Sequence, residues 1–202
     1  MNVAIFTGFL GSGKTSLLLP LARFLVDGTR RDVSKASVVI IENEIGEVGI
    51  DDVVLRAEGL NVRELFGGCI CCQLTADLTS CLNDLASEVD PEWVLVEATG
   101  LATPQSIVET IRRYGKGVKR IVTLAVVDAQ RWPELVEVLE PLVSKQVAGA
   151  DMVLINKTDE VDEDAVRAVR ETVLSFNEAA PVLEVSATEG IEELVWREVV
   201  DR

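Results

Sequence analysis

Gly8-Phe9-Leu10-Gly11-Ser12-Gly13-Lys14-Thr15 decides the fold class of this chain. The octapeptide has the G-x-x-x-x-G-K-[ST] form of a phosphate-binding loop. It follows the apolar run 2–7 and opens a helix from Thr15 to about Val26, the strand–loop–helix context that the motif requires. Glycines let backbone N–H groups close round an anion, and the helix N-terminus adds the positive end of its dipole. The expected phosphate contacts are Gly8, Gly11, Ser12, Gly13, Lys14, Thr15 and Ser16. Lys14 should reach the β- and γ-phosphates, and the Thr15 hydroxyl should bind Mg²⁺.

Outward from the loop, short β-rich runs at 2–7, 37–42, 62–66, 92–97, 119–127, 151–156 and 181–186 alternate with amphipathic stretches. Most runs are continuously hydrophobic, as strands buried on both faces are. Leu74, Leu78, Leu82, Leu85 and Val89 recur at helical spacing, as do Val166, Val169, Val173 and Phe176. Thr103-Pro104 reads as an N-cap followed by proline at the first helical position. This alternation predicts a three-layer αβα fold with a mostly parallel sheet of roughly seven strands, ligands sitting at the strands' carboxyl ends. Without repeats, low-complexity tracts or long linkers, residues 1–202 are expected to form a single domain.

The base is read elsewhere. Asn156-Lys157-Thr158-Asp159 follows the run Met152–Ile155 and has the Asn-Lys-x-Asp form of GTPases. An Asp carboxylate can accept hydrogen bonds from guanine N1–H and its exocyclic amine, a donor pair that adenine lacks. Lys157 can lie along the base plane. Ser186-Ala187-Thr188 follows the next strand, where GTPases place a backbone contact to the guanine oxygen. Glu97-Ala98-Thr99-Gly100 ends the run Trp93–Val96, so that Glu97 can hold Mg²⁺ directly or through water and the Gly100 N–H can sense the γ-phosphate. The expected catalytic set is Lys14, Thr15, Glu97 and Gly100. No glutamine is placed to orient water, so intrinsic turnover should be slow.

A second motif is Gly67-Gly68-Cys69-Ile70-Cys71-Cys72. Three thiols in four residues cannot all ligate one ion from regular helix or strand, but the two glycines permit a loop in which they converge. Thiolates select Zn²⁺, Cu(I) and other thiophilic ions. Carboxylates to complete a tetrahedron are available at Glu42 and Glu47 in the acidic segment 42–51. Buried small hydrophobes or a redox pair are the alternatives. Cys81, beside the Leu74/Leu78/Leu82 stripe, reads as core. The acidic segment and the cysteine motif both lie between the phosphate loop and Glu97-x-x-Gly100, where GTPases put their nucleotide-sensing switches.

Composition narrows the partners. Of 202 residues 48% are hydrophobic and 26% charged, as in ordinary globular proteins, and the net charge of −15 repels nucleic acid and anionic membrane. No apolar run reaches membrane-spanning length, and the start MNVAIFTGF lacks the basic region of a signal peptide, so a cytoplasmic home with reduced thiols is expected. Histidine is absent, so a metal site must use thiolates and carboxylates, and no histidine can act as a general base.

Together, GFLGSGKTSLL, ENEIGEVGID, GGCICC, VEATGLATP and NKTD resemble the CobW-like GTPases, relatives of the nickel-insertion GTPases of urease and hydrogenase maturation. The resemblance covers about residues 1–190, with GGCICC as the mark of CobW-like members. It implies GTP hydrolysis to GDP, with Mg²⁺, coupled to delivery of a metal, commonly zinc or cobalt, to a client metalloprotein or corrinoid protein. It also implies a nucleotide-dependent homodimer or client contact. By the same resemblance Cys69, Cys71 and Cys72 hold the metal with Glu42 or Glu47, and Glu44, Asp51 and Glu97 are candidates for Mg²⁺ or γ-phosphate contacts. Two features depart from the pattern. The sequence lacks the C-terminal domain and histidine-rich stretch of many members, and Thr103 replaces the usual acidic residue before the proline. Client recognition or metal storage through those parts would then be absent or carried by another protein. A GTP-dependent switch that gates cofactor loading without carrying metal is the competing expectation. A small-molecule kinase on the same loop is disfavoured by NKTD and the cysteine motif.

Overall fold

The computed structural model describes residues 1–29, 38–42, 61–64 and 71–202. Strands β1 (Asn2–Thr7), β2 (Val38–Glu42), β3 (Asn61–Glu64), β4 (Trp93–Glu97), β5 (Arg120–Asp128), β6 (Met152–Asn156) and β7 (Val182–Glu184) form one sheet. Its order is β3-β2-β4-β1-β5-β6-β7, and every pairing is parallel. The helices are α1 (Lys14–Thr29), α2 (Cys71–Glu88), α3 (Pro104–Tyr114), α4 (Trp132–Ala148), α5 (Glu163–Phe176) and α6 (Glu193–Asp201).

Alternate strand residues serve opposite layers, as the pleat requires. Ala4, Phe6, Leu95, Leu124 and Leu154 pack with Leu17, Leu18 and Leu21 of α1 and Trp196 and Val199 of α6. On the other face Val3, Ile5, Val94 and Val96 meet Leu78, Leu82 and Leu85 of α2 and Ile107 and Ile111 of α3. Beside them Ala125, Val127, Val153 and Ile155 meet α4 and α5 through Trp132, Val143, Val147, Val169 and Val173. The predicted three-layer αβα fold is therefore present, and Leu78, Leu82 and Leu85 of one predicted stripe and Val166, Val169 and Val173 of the other are buried in the core. Cys81 is half-buried against the second of these clusters, at the margin of the core and not within it.

Two local expectations need correction, and one helix lies outside them. Thr103 does stand at the N-cap of α3 with proline behind it, but its side chain caps no backbone N–H. Its Oγ1 instead lies 3.1 Å from Ser106 Oγ, leaving one hydroxyl to partner another. Cys71 and Cys72 are not in a loop: they are the first two residues of α2. Helix α4, which carries prolines at 133 and 141, has no clear periodic signature in the sequence. Pro141 cannot donate a helical hydrogen bond, and Leu139 leaves helical geometry at φ −128°, ψ 25°.

The chain reverses direction across the sheet at β1: α1 leads outward to β2 beyond β4, and β4 is followed by β5 on the other side of β1. A crevice opens at the carboxyl ends of the strands at such a switch point. Thr7, Glu97, Asp128 and Asn156 end β1, β4, β5 and β6 there. No helix among the described residues is long and apolar enough to cross a membrane.

Candidate functional site

The phosphate loop leaves β1 through Gly8 at φ 136° and enters α1 through Gly13 at φ 92°. A side chain at either glycine is excluded twice over, because a Cβ at Gly8 would strike the Val126 carbonyl and one at Gly13 the Asn156 amide. Lys14 is buried, and its Nζ donates to the carbonyls of Gly8 and Phe9, each at 3.2 Å. Its ammonium thus lies over the loop that it is expected to share with phosphate. Ser16 is exposed in the first turn of α1, and Ser12 is buried with an Oγ that has no hydrogen-bond partner among the described residues.

Beside the loop, Thr15 Oγ1 donates to Glu97 Oε2 at 2.8 Å. A hydroxyl in the first turn of α1 and a carboxylate at the end of β4 are a hard oxygen donor pair of the kind that suits Mg²⁺. Gly100 rests directly on the loop, where an added Cβ would stand 2.8 Å from Leu10 N. Its carbonyl accepts from Gln146 Nε2 of α4 at 2.9 Å, and the Ala102 carbonyl accepts from the same nitrogen at 3.3 Å. Gln146 is buried among Val143, Val147 and the loop, so Gln146→Leu keeps the volume but strips two carbonyls of a donor. We expect the variant to be destabilised by about 2 kcal/mol, a fall of roughly 4–8 °C in a thermal unfolding scan.

Asn156 joins the two halves of the site. It is buried; its Nδ2 donates to the Ser12 carbonyl at 2.9 Å, and its Oδ1 accepts from Ala187 N at 3.1 Å. The next residue, Lys157, takes the left-handed conformation (φ 64°, ψ 36°), uncommon outside glycine, asparagine and aspartate. Its Nζ is 2.7 Å from Asp128 Oδ2. Asp159 lies exposed on the short 3₁₀ turn Thr158–Glu160, with its Oδ2 accepting from Thr188 Oγ1 at 2.9 Å. The hydroxyls of Ser186 and Thr188 hold its carboxyl below the usual carboxylate range. Ser186 Oγ also accepts from Glu189 N at 3.2 Å, which fixes the turn that carries Thr188.

The structure therefore brings the phosphate loop, Thr15 and Glu97, Gly100, the Asn156–Asp159 segment and the Ser186–Thr188 turn to one rim of the sheet. For the metal expectation it offers less. Cys69, Glu44, Glu47 and Asp51 lie outside the described residues. Glu42 ends β2 as the Cα partner of Glu97, and Cys71 and Cys72 begin α2. Among the described residues no group of three or more Cys, Asp or Glu is placed to hold a metal.

Sequence reading missed three contributors. Asp128, buried at the end of β5, takes Lys157 on one oxygen and the N–H groups of Gln130 and Arg131 on the other, at 3.1 and 3.2 Å. Arg131 donates to the Leu10 carbonyl, and Gln146 holds Gly100. The available signal was an acid closing a buried apolar strand, at Asp128; Arg131 and Gln146 leave none.

Residues 2–184 match the nucleotide-binding domain of the CobW/HypB/UreG family. The chain belongs to that family. Among curated CobW/HypB/UreG relatives, it is 31% identical to the zinc chaperone YjiA of Escherichia coli strain K12 over 91% of this chain and 57% of that protein. It is 32% identical to the zinc chaperone CobW of Pseudomonas aeruginosa over 94% of this chain and 57% of that one. The solved structure of Zn(II)-bound YjiA GTPase from Escherichia coli superposes with a TM-score of 0.65 at 26% identity, covering 97% of this chain and 60% of that chain. The present sequence thus spans little more than half the length of these CobW/HypB/UreG relatives.

Proposed function

We propose that this chain binds GTP and hydrolyses it to GDP and phosphate, and that the nucleotide state governs binding and delivery of a metal ion, zinc or cobalt, to a client metalloprotein. The observation that carries the guanine part is Asn156, which ties the phosphate loop at Ser12 to the Ala187 backbone and sets Asp159 beside them. Asp159 would accept from guanine N1–H and the exocyclic amine, and an adenine base would leave that carboxylate without its donors.

In this reading the loop N–H groups and Lys14 hold the negative charge of the phosphates, with Lys14 exchanging the Gly8 and Phe9 carbonyls for phosphate oxygens. Thr15 and Glu97 would hold Mg²⁺, which when bound neutralises charge on the phosphate oxygens. The Gly100 N–H would meet the γ-phosphate, so that its loss on hydrolysis releases the loop 97–100. Water would attack the γ-phosphorus as its bond to the β–γ bridging oxygen breaks, GDP leaving with that oxygen and the water's proton passing to the released phosphate; with no glutamine placed to orient the water, turnover should be slow.

The metal half rests on GGCICC and on relatives named zinc chaperones. Cys69, Cys71 and Cys72, with Glu42 or Glu47, would carry the cargo, and Glu44 and Asp51 would face Mg²⁺ or the γ-phosphate. Metal and GTP then alter each other's affinity by the same factor. Zn²⁺ affinity measured with GDP and with a non-hydrolysable GTP analogue should differ several-fold. Equal affinities would overturn the coupling, and partner activation that survives replacement of all three cysteines by serine would overturn the carrier role.

A further inference from the structure

Arg131 precedes α4 and its side chain reaches across to the phosphate loop. Its Nη1 donates to the Leu10 carbonyl at 3.1 Å, and its guanidinium stands 5.7 Å from the centre of the Phe9 ring. Its backbone is fixed as well, because Arg131 N donates to buried Asp128, the acid that also holds Lys157.

The chain has no cis peptide bond among the described residues, so in each peptide unit the C=O and the following N–H point in opposite directions. Holding the Leu10 carbonyl therefore turns the Gly11 N–H away from Arg131. Asn156 does the same two residues further on: it holds the Ser12 carbonyl and so turns the Gly13 N–H away from itself. A cation on the carbonyl also polarises its peptide and strengthens the N–H as a donor.

We propose that Arg131 is a positioning residue for nucleotide binding, an outer brace that presents the Gly11 N–H to the phosphates and links the loop, through Asp128, to the base-side Lys157. The inference rests on the phosphate loop being the nucleotide site. It does not require Arg131 to touch the ligand.

Arg131 is exposed, and Arg131→Ala should leave thermal unfolding within a degree or two of the parent. Calorimetric titration of GDP and of a non-hydrolysable GTP analogue should show affinities about 5- to 20-fold weaker in Arg131→Ala. The maximal hydrolysis rate at saturating GTP should change less than about two-fold, since the brace shapes binding before the reaction. Arg131→Lys, which keeps a donor long enough to reach the carbonyl, should recover most of the loss. The deficit should persist at about 0.5 M salt, where long-range attraction between exposed charges is screened. Unchanged affinity in Arg131→Ala, no recovery with lysine, or a deficit that vanishes in salt would each overturn the brace. Failure of the parent protein itself to bind either nucleotide would overturn the proposed function, a result separate from these.

Discussion

Replacing Asn156 with alanine should weaken GDP and GTP binding together by about a hundredfold or more and destabilise the protein by roughly 2–4 kcal/mol. The two effects share a cause. The amide is buried, and its removal leaves the Ser12 carbonyl and the Ala187 N–H without their partner in a place that water enters poorly. The phosphate loop then loses the contact that orients the Gly13 N–H, and the turn bearing Thr188 loses its tie to the loop. Calorimetric binding and thermal unfolding on the same sample test the claim. An alanine variant that melts early but binds normally would mean that Asn156 is structural glue alone.

The larger change in specificity belongs to Asp159. Asp159→Asn exchanges one acceptor oxygen for a donor nitrogen while keeping the shape, so one of the two guanine donors faces an N–H. Affinity for GTP should fall by about two to three orders of magnitude, by the logic that sites built on hydrogen bonds reject mismatched partners strongly. Xanthosine triphosphate, whose base carries a carbonyl where guanine has its amine, should bind the variant better than the parent. Competition between the two nucleotides reads this directly, and unchanged GTP preference would remove Asp159 from base recognition. Acid should act on the same group. The Ser186 and Thr188 hydroxyls lower its pKa, so the carboxylate persists to lower pH than one without those partners. Its contribution is complete above the unfolded value and is lost only as pH drops through the lower folded one.

Much of this site could be read from the sequence because its pieces are local. The phosphate loop is eight consecutive residues whose glycines, lysine and threonine each have a stated task, and NKTD is four more. Buried strands were readable for the same reason, since Trp93–Glu97 and Met152–Asn156 are apolar throughout except at their ends. The residues that hold these pieces in place could not be read so. Arg131 meets Leu10 across 121 positions of chain and Gln146 meets Gly100 across 46. Neither contact leaves a periodic or compositional trace. Helix α4, which supplies Gln146, is obscured by Pro141, which argues locally against a helix and is outweighed by the burial of Trp132, Leu135, Val143 and Val147. In the cysteine motif the glycines point to a loop, but Cys71 begins a helix, which commits its backbone and that of Cys72 to α2 whatever their sulfurs do.

Lys14, lying across the Gly8 and Phe9 carbonyls, gives the loop a tenant of its own. On the proposed function an arriving nucleotide would take over a side chain already folded into place, substituting phosphate oxygens for carbonyl oxygens. Occupancy would then alter who is bonded to whom at Lys14, and the mechanical response to GTP would be sought in the parts that the loop touches.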